Sequence, residues 1–96
     1  MIAGFGDGTT EDIFNGEHTK AARRIPVEIW KTASRKLDML NAAHDLRDLM
    51  VAPASRLESL HGTLEGKHSI RIHDQFRIVF RWKDGNAREV QIKDYH

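Results

Sequence analysis

The apolar residues of this 96-residue chain change their spacing halfway along the sequence. From Ile29 to Leu40 they recur mostly at intervals of three and four, and after Pro53 they alternate with polar residues. Intervals near 3.6 predict amphipathic helices, whereas a period of two predicts strands with one buried face. Helices followed by strands predict an α+β domain. A chain of this length has space for one domain, which we place over residues 1–96.

Two helices are expected in the N-terminal half, after a short edge strand at residues 2–5. The first is short, over residues 11–15, with Thr9 or Thr10 as its cap. The second begins at Pro26, which suits a first helical turn. Its apolar stripe consists of Ile29, Trp30, Ala33, Leu37 and Leu40.

The apolar stripe shifts after the second helix. We therefore expect a break near Ala43 and a separate helical turn that starts at Asp45. This turn should end before Pro53, because the residue that precedes a proline avoids the helical conformation.

The C-terminal half predicts three consecutive antiparallel strands and a short additional one. Asp84 and Gly85 are typical of a tight hairpin turn, and His73 with Asp74 indicates another turn. The strands are expected at residues 68–73, 75–82 and 87–94, with the short one at residues 56–60. The prediction is two N-terminal helices packed on an antiparallel sheet of three to four strands, plus the N-terminal edge strand.

Strand parity predicts which side chains share a face of this sheet. If Ile78, Phe80 and Trp82 face the helices, the opposite face carries Arg77, Val79 and Arg81, with Ser69 and Arg71 of the neighbouring strand. Its three arginines are either ordinary solvated side chains or a phosphate site, since a guanidinium can bind phosphate through two parallel hydrogen bonds.

Composition excludes several classes of protein. Fifteen Lys and Arg against fourteen Asp and Glu give a net charge of +1, too small for a purely electrostatic nucleic-acid binder. The absence of cysteine excludes disulfides, thiolate zinc sites and a cysteine nucleophile. No apolar stretch is long enough for a transmembrane helix, and the sequence does not start like a signal peptide. We expect a cytoplasmic protein with no membrane partner.

Cations are nonetheless concentrated around the start of the second helix. Between residues 20 and 36 six cations are accompanied by the single acid Glu28. This run is either the solvated face of an amphipathic helix or a patch that follows a phosphate backbone. In the second interpretation Arg23, Arg24 and Lys31 contact RNA.

Two further places carry acid–base groups. A loop rich in glycine and cations contains His61 and Lys67 and would bring them to the edge of the sheet. The chain ends at His96, whose own carboxylate favours the imidazolium and hence a general acid, although a terminal histidine is also commonly a frayed end. Glu58 and Glu65 are either a carboxylate pair or solvated acids. No histidine pair has zinc-helix spacing and no phosphate-binding glycine loop is present, so we expect no metal or cofactor.

Several segments together resemble HigB-type toxins, the plasmid maintenance killer family of the RelE superfamily. The segments are RLESLHG at residues 56–62, EG at 65–66, HSIRI at 68–72, QFRIVFRW at 75–82 and DYH at 94–96. The helical segments at residues 37–43 and 45–49 agree as well, so the resemblance covers essentially the whole chain. The terminal DYH combined with the RIxF strand is its specific part.

This resemblance implies a RelE-like fold and a toxin of a type II toxin–antitoxin system. It implies a metal-independent endoribonuclease that cuts mRNA in the ribosomal A site, and partners that include the 70S ribosome, mRNA and a HigA-type antitoxin with a helix-turn-helix domain. By position, Arg77 resembles the phosphate-stabilising arginine of the family. Tyr95 and His96 resemble its terminal catalytic pair, supported by Asp94, and His61 is a candidate base or phosphate ligand.

The chain also departs from the family pattern. Glu58 stands where some relatives carry a histidine, which leaves His61 and Lys67 to supply the cationic chemistry. Arg71 and Arg81 are further candidates for contacts with ribosomal RNA. The alternative function is a non-catalytic binding protein of the same fold that acts through protein or ribosome contacts. Such a protein would not need Arg77, Tyr95 and His96 together.

Overall fold

The computed structural model of the protein describes residues 1–50 and 56–94. Helix α1 spans Gly8–Phe14 and begins earlier than the sequence predicted. Asp7 caps it, because its Oδ1 accepts a 2.8 Å hydrogen bond from the backbone N–H of Thr10. The prediction of Thr9 or Thr10 as the cap was therefore wrong. The hydroxyl of Thr10 is instead buried, where it accepts a 2.8 Å hydrogen bond from the backbone N–H of Ile92.

Helix α2 spans Trp30–Ala42 and follows a 3₁₀ turn at Val27–Ile29. Pro26 has a ψ of 132°, which is not helical, so the predicted start of the helix at this residue is a 3₁₀ turn instead. The helix ends as predicted at Ala43, where ψ is 134°. Its apolar stripe is confirmed, since the buried residues of the helix are Ala33, Leu37 and Leu40.

Helix α3 spans Leu46–Met50 and follows the predicted break. Asp45 Oδ1 accepts a 2.9 Å hydrogen bond from the backbone N–H of Arg47. This bond and the nearby guanidinium hold the pKa of Asp45 below its usual value. Leu49 is fully buried and anchors α3 to the core. The predicted end of the helix before Pro53 lies outside the described residues. None of the helices in the described part of the chain is long and apolar enough to cross a membrane.

An antiparallel sheet of four strands follows, with the strands side by side in chain order. The strands are β1 (Glu58–Ser59), β2 (Lys67–Arg71), β3 (Phe76–Lys83) and β4 (Asn86–Asp94). Each bound lies within about two residues of its predicted place, the usual precision of a periodicity argument. Asp84 and Gly85 form the turn between β3 and β4 with φ of 54° and 77°, the left-handed pair that tight hairpins require.

The N-terminal segment runs parallel to β4 and forms two bridges instead of a full strand. Ile2 pairs with Ala87, and Phe5 pairs with Val90. Between the two bridges the pairing of β3 with β4 shifts by one residue, and Glu89 has a left-handed φ of 52°. This bulge interrupts the hydrogen-bond ladder, which explains why the predicted edge strand is reduced to bridges.

The core lies between the helices and one face of the sheet. Leu37 of α2 belongs to the same buried cluster as Ile70, Ile78 and Phe80. Trp82 is partly buried at the margin of this cluster. The predicted orientation of β3 is therefore confirmed, and its alternate residues are left on the opposite face.

Candidate active site

The face of the sheet that points away from the helices carries a row of cations. Arg71 lies directly opposite Arg77, and Lys67 lies directly opposite Arg81. On the other side of β3, Lys93 and Arg88 of β4 lie opposite Arg77 and Arg81. Directly opposed residues share a face of a sheet. The structure thus brings together the arginines that parity predicted, in a cationic face that consists of Lys67, Arg71, Arg77, Arg81, Arg88 and Lys93.

Arg77 is held at the centre of this face by defined contacts. Its Nε donates a 2.9 Å hydrogen bond to Ser69 Oγ, and its Nη2 donates one of 2.9 Å to the backbone oxygen of Arg56. The same Nη2 lies 3.6 Å from Glu58 Oε1, and the side chain is only 14% exposed. Arg77 is therefore far more fixed than a solvated strand arginine, and its guanidinium is preorganised for a ligand anion.

Two acids of the strands lie among these cations, and Asp74 of the β2–β3 turn contacts Arg71. Glu58 of β1 lies beside Arg77. Glu89 of the β4 bulge reaches two cations, with Oε2 at 2.7 Å from Arg81 Nε and Oε1 at 3.9 Å from Lys67 Nζ. Sequence reasoning overlooked Glu89, although its parity with Gln91 and Lys93 was a usable signal. The acids neutralise part of the face, and a bound phosphate has to compete with them.

The loop before β2 packs closely against Arg81. Gly66 has a φ of 87°, and a Cβ at this position would lie 2.9 Å from Arg81 Nη1. The backbone angle favours glycine here, whereas the Arg81 guanidinium is the end of a flexible side chain and could move away from a Cβ. The loop that was predicted to bring cations to the sheet therefore does contact the cationic face, through Gly66 and Lys67.

The two histidines of this region lie in different surroundings. His61 is exposed and precedes a 3₁₀ turn at Gly62–Leu64. His68 lies opposite Phe80, with ring centroids 5.9 Å apart, and its Nδ1 is 3.4 Å from Ser59 Oγ. Burial lowers the pKa of His68, which favours the neutral ring. His68 alternates with Lys67, Ser69 and Arg71 along β2 and so faces the helix side of the sheet.

The predicted C-terminal group is described only in part. Asp94 ends β4 opposite Phe76, and its Oδ2 accepts a 3.1 Å hydrogen bond from Gln75 Nε2. Tyr95 and His96 lie outside the described residues. Their role as the terminal catalytic pair stays a prediction.

Three of the predicted RNA contacts lie in the helical layer, which covers the other side of the sheet. Arg23 and Arg24 belong to a 3₁₀ turn at Ala22–Arg24, whose first residue is buried in the core. Lys31 lies in the first turn of α2, and all three side chains are exposed. The structure does not bring them to the cationic face.

The arrangement around Arg77 suits the chemistry of a phosphodiester. A fixed guanidinium can stabilise negative charge that develops on phosphate oxygens, and flanking cations can hold the neighbouring phosphates. The Glu58 carboxylate beside Arg77 can accept a proton. Within residues 1–50 and 56–94, no three His, Asp or Glu side chains are grouped so that they could hold a metal ion.

Known proteins resemble this chain over nearly its whole length. A family model for RelE-like toxins of type II toxin–antitoxin systems, HigB, matches residues 4–96. Toxin HigB-1 of Vibrio cholerae is 40% identical over 92 residues, which cover 96% of this chain and 95% of that protein. An uncharacterised protein of Haemophilus influenzae is 30% identical over 69 residues, covering 72% of this chain and 68% of the other.

A solved structure supports the fold independently of sequence. A chain of the YoeB–YefM complex from Staphylococcus aureus superposes with a TM-score of 0.60 at 16% identity, covering 100% of this chain and 98% of that one. The match in fold agrees with the helices and four-stranded antiparallel sheet described above. Together with the family match and the 40% identical relative, these findings establish that the chain belongs to the HigB-like family of RelE-like toxins of type II toxin–antitoxin systems.

Proposed function

We propose that this protein is an endoribonuclease that cuts mRNA in the A site of the 70S ribosome and thereby inhibits translation and growth. The observation that carries the proposal is the fixed guanidinium of Arg77, held by Ser69 Oγ and the Arg56 carbonyl at the centre of the cationic face. Family membership supports a toxin, and the geometry supports a phosphodiester as the group on which it acts.

The reaction needs a base, an anion-stabilising group and an acid. A base removes the proton of the ribose 2′-hydroxyl, whose oxygen attacks the adjacent phosphorus. The phosphorus–oxygen bond to the next nucleotide breaks, and an acid protonates the departing 5′-oxygen. The products are a 2′,3′-cyclic phosphate and a 5′-hydroxyl. The step is a transesterification that needs only proton transfer and charge stabilisation.

Arg77 is proposed to stabilise the negative charge that builds up on the phosphate oxygens during attack. His96 and Tyr95 are the proposed proton-transfer pair, with Asp94 as their support and His61 as an additional base or phosphate ligand. Glu58, whose Oε1 lies 3.6 Å from Arg77 Nη2, is a second candidate base.

The charge balance of the cationic face supports dependence on the ribosome. Glu58 and Glu89 already contact three of its cations, namely Arg77, Lys67 and Arg81. Affinity for RNA scales with the number of phosphates that cations neutralise, so free RNA should bind weakly. The ribosome then supplies the orientation that the enzyme lacks, with Arg71 and Arg81 as proposed ribosome or RNA contacts.

A HigA-type antitoxin with a helix-turn-helix domain is the proposed protein partner. The family match names a type II toxin–antitoxin system, and the solved relative with the same fold is part of a YoeB–YefM complex. Copurification of this chain with the product of an adjacent reading frame would support the partnership.

The proposed function is tested by primer extension on a message in a purified translation system. We expect cleavage of the translated message and little cleavage of the same RNA without ribosomes. His96→Gln should lower the cleavage rate by about 10² to 10⁴, because glutamine keeps hydrogen bonds but cannot transfer a proton. Equal cleavage of naked RNA would contradict ribosome dependence. Growth arrest without any cleavage would favour the alternative, a binding protein that acts through contacts alone.

A further inference from the structure

A cleft of about 490 Å³ separates α2 from the turn that joins β2 to β3. The helix contributes Arg35, Lys36 and Met39, and the end of β2 and the turn contribute Arg71, Ile72 and His73. The proposed cleavage chemistry uses none of these residues at the reacting phosphate. The cleft is therefore a second surface feature that needs a separate explanation.

Charge around this cleft is strongly one-sided. Arg35, Lys36 and Arg71 are positive, and Asp74 supplies the one carboxylate among the lining residues. Asp74 already contacts the Arg71 guanidinium. The lining residues thus carry a net positive formal charge, which is complementary to a partner that brings carboxylates.

The floor of the cleft is apolar, which distinguishes a protein partner from RNA. Met39 is partly buried against the core, and Ile72 is 8% exposed. An RNA backbone gains little from such a floor, because its affinity comes from cations on its phosphates. A peptide that places one apolar side chain between acidic residues matches both the floor and the rim.

We propose that an acidic segment of the antitoxin, anchored by an apolar side chain, docks in the cleft between α2 and the β2–β3 turn. This inference rests on the antitoxin partnership proposed above and adds the surface on which it forms. Arg71 belongs to this cleft and also lies opposite Arg77 on the cationic face. A segment bound in this cleft therefore contacts a cation of the cationic face without having to cover Arg77.

A second cleft on the other flank of α2 provides an internal control. It encloses about 370 Å³ and is lined in part by Ser34, which faces away from the first cleft. Its charges are balanced, since Lys31 and Arg35 are accompanied by Glu17 and Asp38. An acidic partner has no reason to prefer this second cleft.

The test measures the affinity of the antitoxin for variants of the chain in a His96→Gln background, which allows expression. Thr32→Trp fills the first cleft, and Ser34→Trp fills the second one from a position of similar burial on the same helix. Arg35→Glu reverses a charge on the rim, and Lys20→Glu makes the same change of charge at an exposed residue outside the cleft. The probe for the antitoxin is the purified product of a reading frame adjacent to the gene.

We expect Thr32→Trp and Arg35→Glu to weaken the complex about 10-fold or more, and Ser34→Trp and Lys20→Glu to change it by less than about twofold. Absence of any complex in the background protein contradicts the partnership itself. A complex that forms but is unaffected by Thr32→Trp and Arg35→Glu overturns the cleft assignment alone. Unchanged antitoxin affinity with weakened ribosome binding also overturns it, in favour of an RNA contact. If Thr32→Trp unfolds the chain, Arg35→Glu and Ser34→Trp decide together: because Arg35 lines both clefts and Ser34 only the second, a complex weakened by Arg35→Glu and not by Ser34→Trp supports the first cleft.

Discussion

The two faces of the sheet differ in what holds their side chains. On the helix side, Ile70, Ile78 and Phe80 are fully buried against the helices. On the other side, Arg77 and Arg81 are held by hydrogen bonds and by the acids Glu58 and Glu89. The same strands build both faces, because successive residues point to opposite sides. The contrast implies that substitutions on the helix side change stability, whereas substitutions on the cationic face change activity.

The contrast is incomplete at the centre of the sheet. Ser69 and Val79 lie on the cationic side, directly opposite each other, and both are fully buried. Arg77 extends from this buried centre and is itself mostly enclosed. The cationic face therefore has a buried centre with charged groups around it. Substitutions of Arg77 should therefore affect both stability and activity, whereas substitutions of Phe80 should affect stability alone.

The largest expected effect is on stability, for Phe80→Ala. Phe80 is the largest of the fully buried side chains. Its truncation should lower the free energy of unfolding by about 3–5 kcal/mol, through lost apolar contacts and the cavity that remains. Urea unfolding followed by circular dichroism measures this loss, and Phe80→Leu should lose much less. A small loss for Phe80→Ala would mean that the helix side is not the main source of stability.

Arg77→Ala should have the largest effect on activity. Removing its guanidinium should slow cleavage of translated message by about 10²–10³, because the charge on the phosphate loses its main stabilising group. The buried Ser69 hydroxyl also loses its partner, which should cost about 1–3 kcal/mol of unfolding free energy. Cleavage is measured at a temperature where the variant is folded.

Arg47→Ala is the matched control for Arg77→Ala. Arg47 lies in α3 and its side chain is 85% exposed. Neither cleavage nor stability should change appreciably. If Arg77→Ala cleaved as fast as Arg47→Ala, the assignment of Arg77 as the charge-stabilising group would be wrong.

The difference between prediction and structure has a physical pattern. Periodicity located α2 and the three long strands, because burial imposes the same period on sequence and structure. The cap of α1 was misplaced because Asp7 and Thr10 are both good caps, and only packing shows that the Thr10 hydroxyl is needed by Ile92. The bulge at Glu89 was not predicted, since a left-handed glutamate carries no signal in sequence.

For the candidate site, the sequence predicted which arginines share a face but did not predict the contacts that hold them. Parity grouped Arg71, Arg77 and Arg81 correctly, because it depends only on alternation along strands. Contacts between distant segments, such as that of Glu58 with Arg77, depend on strand register, which alternation does not determine. The same limit applied to Arg23 and Arg24, whose position in the helical layer follows from packing.

Glu89→Gln should have a small effect on RNA affinity. The change removes the negative charge beside Arg81 and Lys67 and leaves the side chain nearly the same size. Affinity for a short RNA should rise by about twofold to fivefold, the scale of an exposed ion pair, with a steeper dependence on salt. Fluorescence anisotropy at two salt concentrations measures this. Glu28→Gln, an exposed acid of the helical layer, is the control and should leave the affinity unchanged.

The smallest expected effect is the pH dependence of stability that His68 contributes. Its folded-state pKa lies below the usual 6.5 because burial disfavours the charged ring. Well above about pH 6.5 the ring is neutral in both the folded and the unfolded chain. The full contribution of His68 to the free energy of unfolding is therefore present there. As the pH falls below this value, the unfolded chain takes up the proton first, and stability decreases until the folded protein is protonated as well. Urea midpoints at pH 7.5 and 5.5 should therefore differ less for His68→Gln than for the parent. A larger change of the midpoint in the variant than in the parent would show that His68 is charged in the folded protein. The helix side of the sheet would then also hold a charged group, and it would no longer differ from the cationic face in this respect.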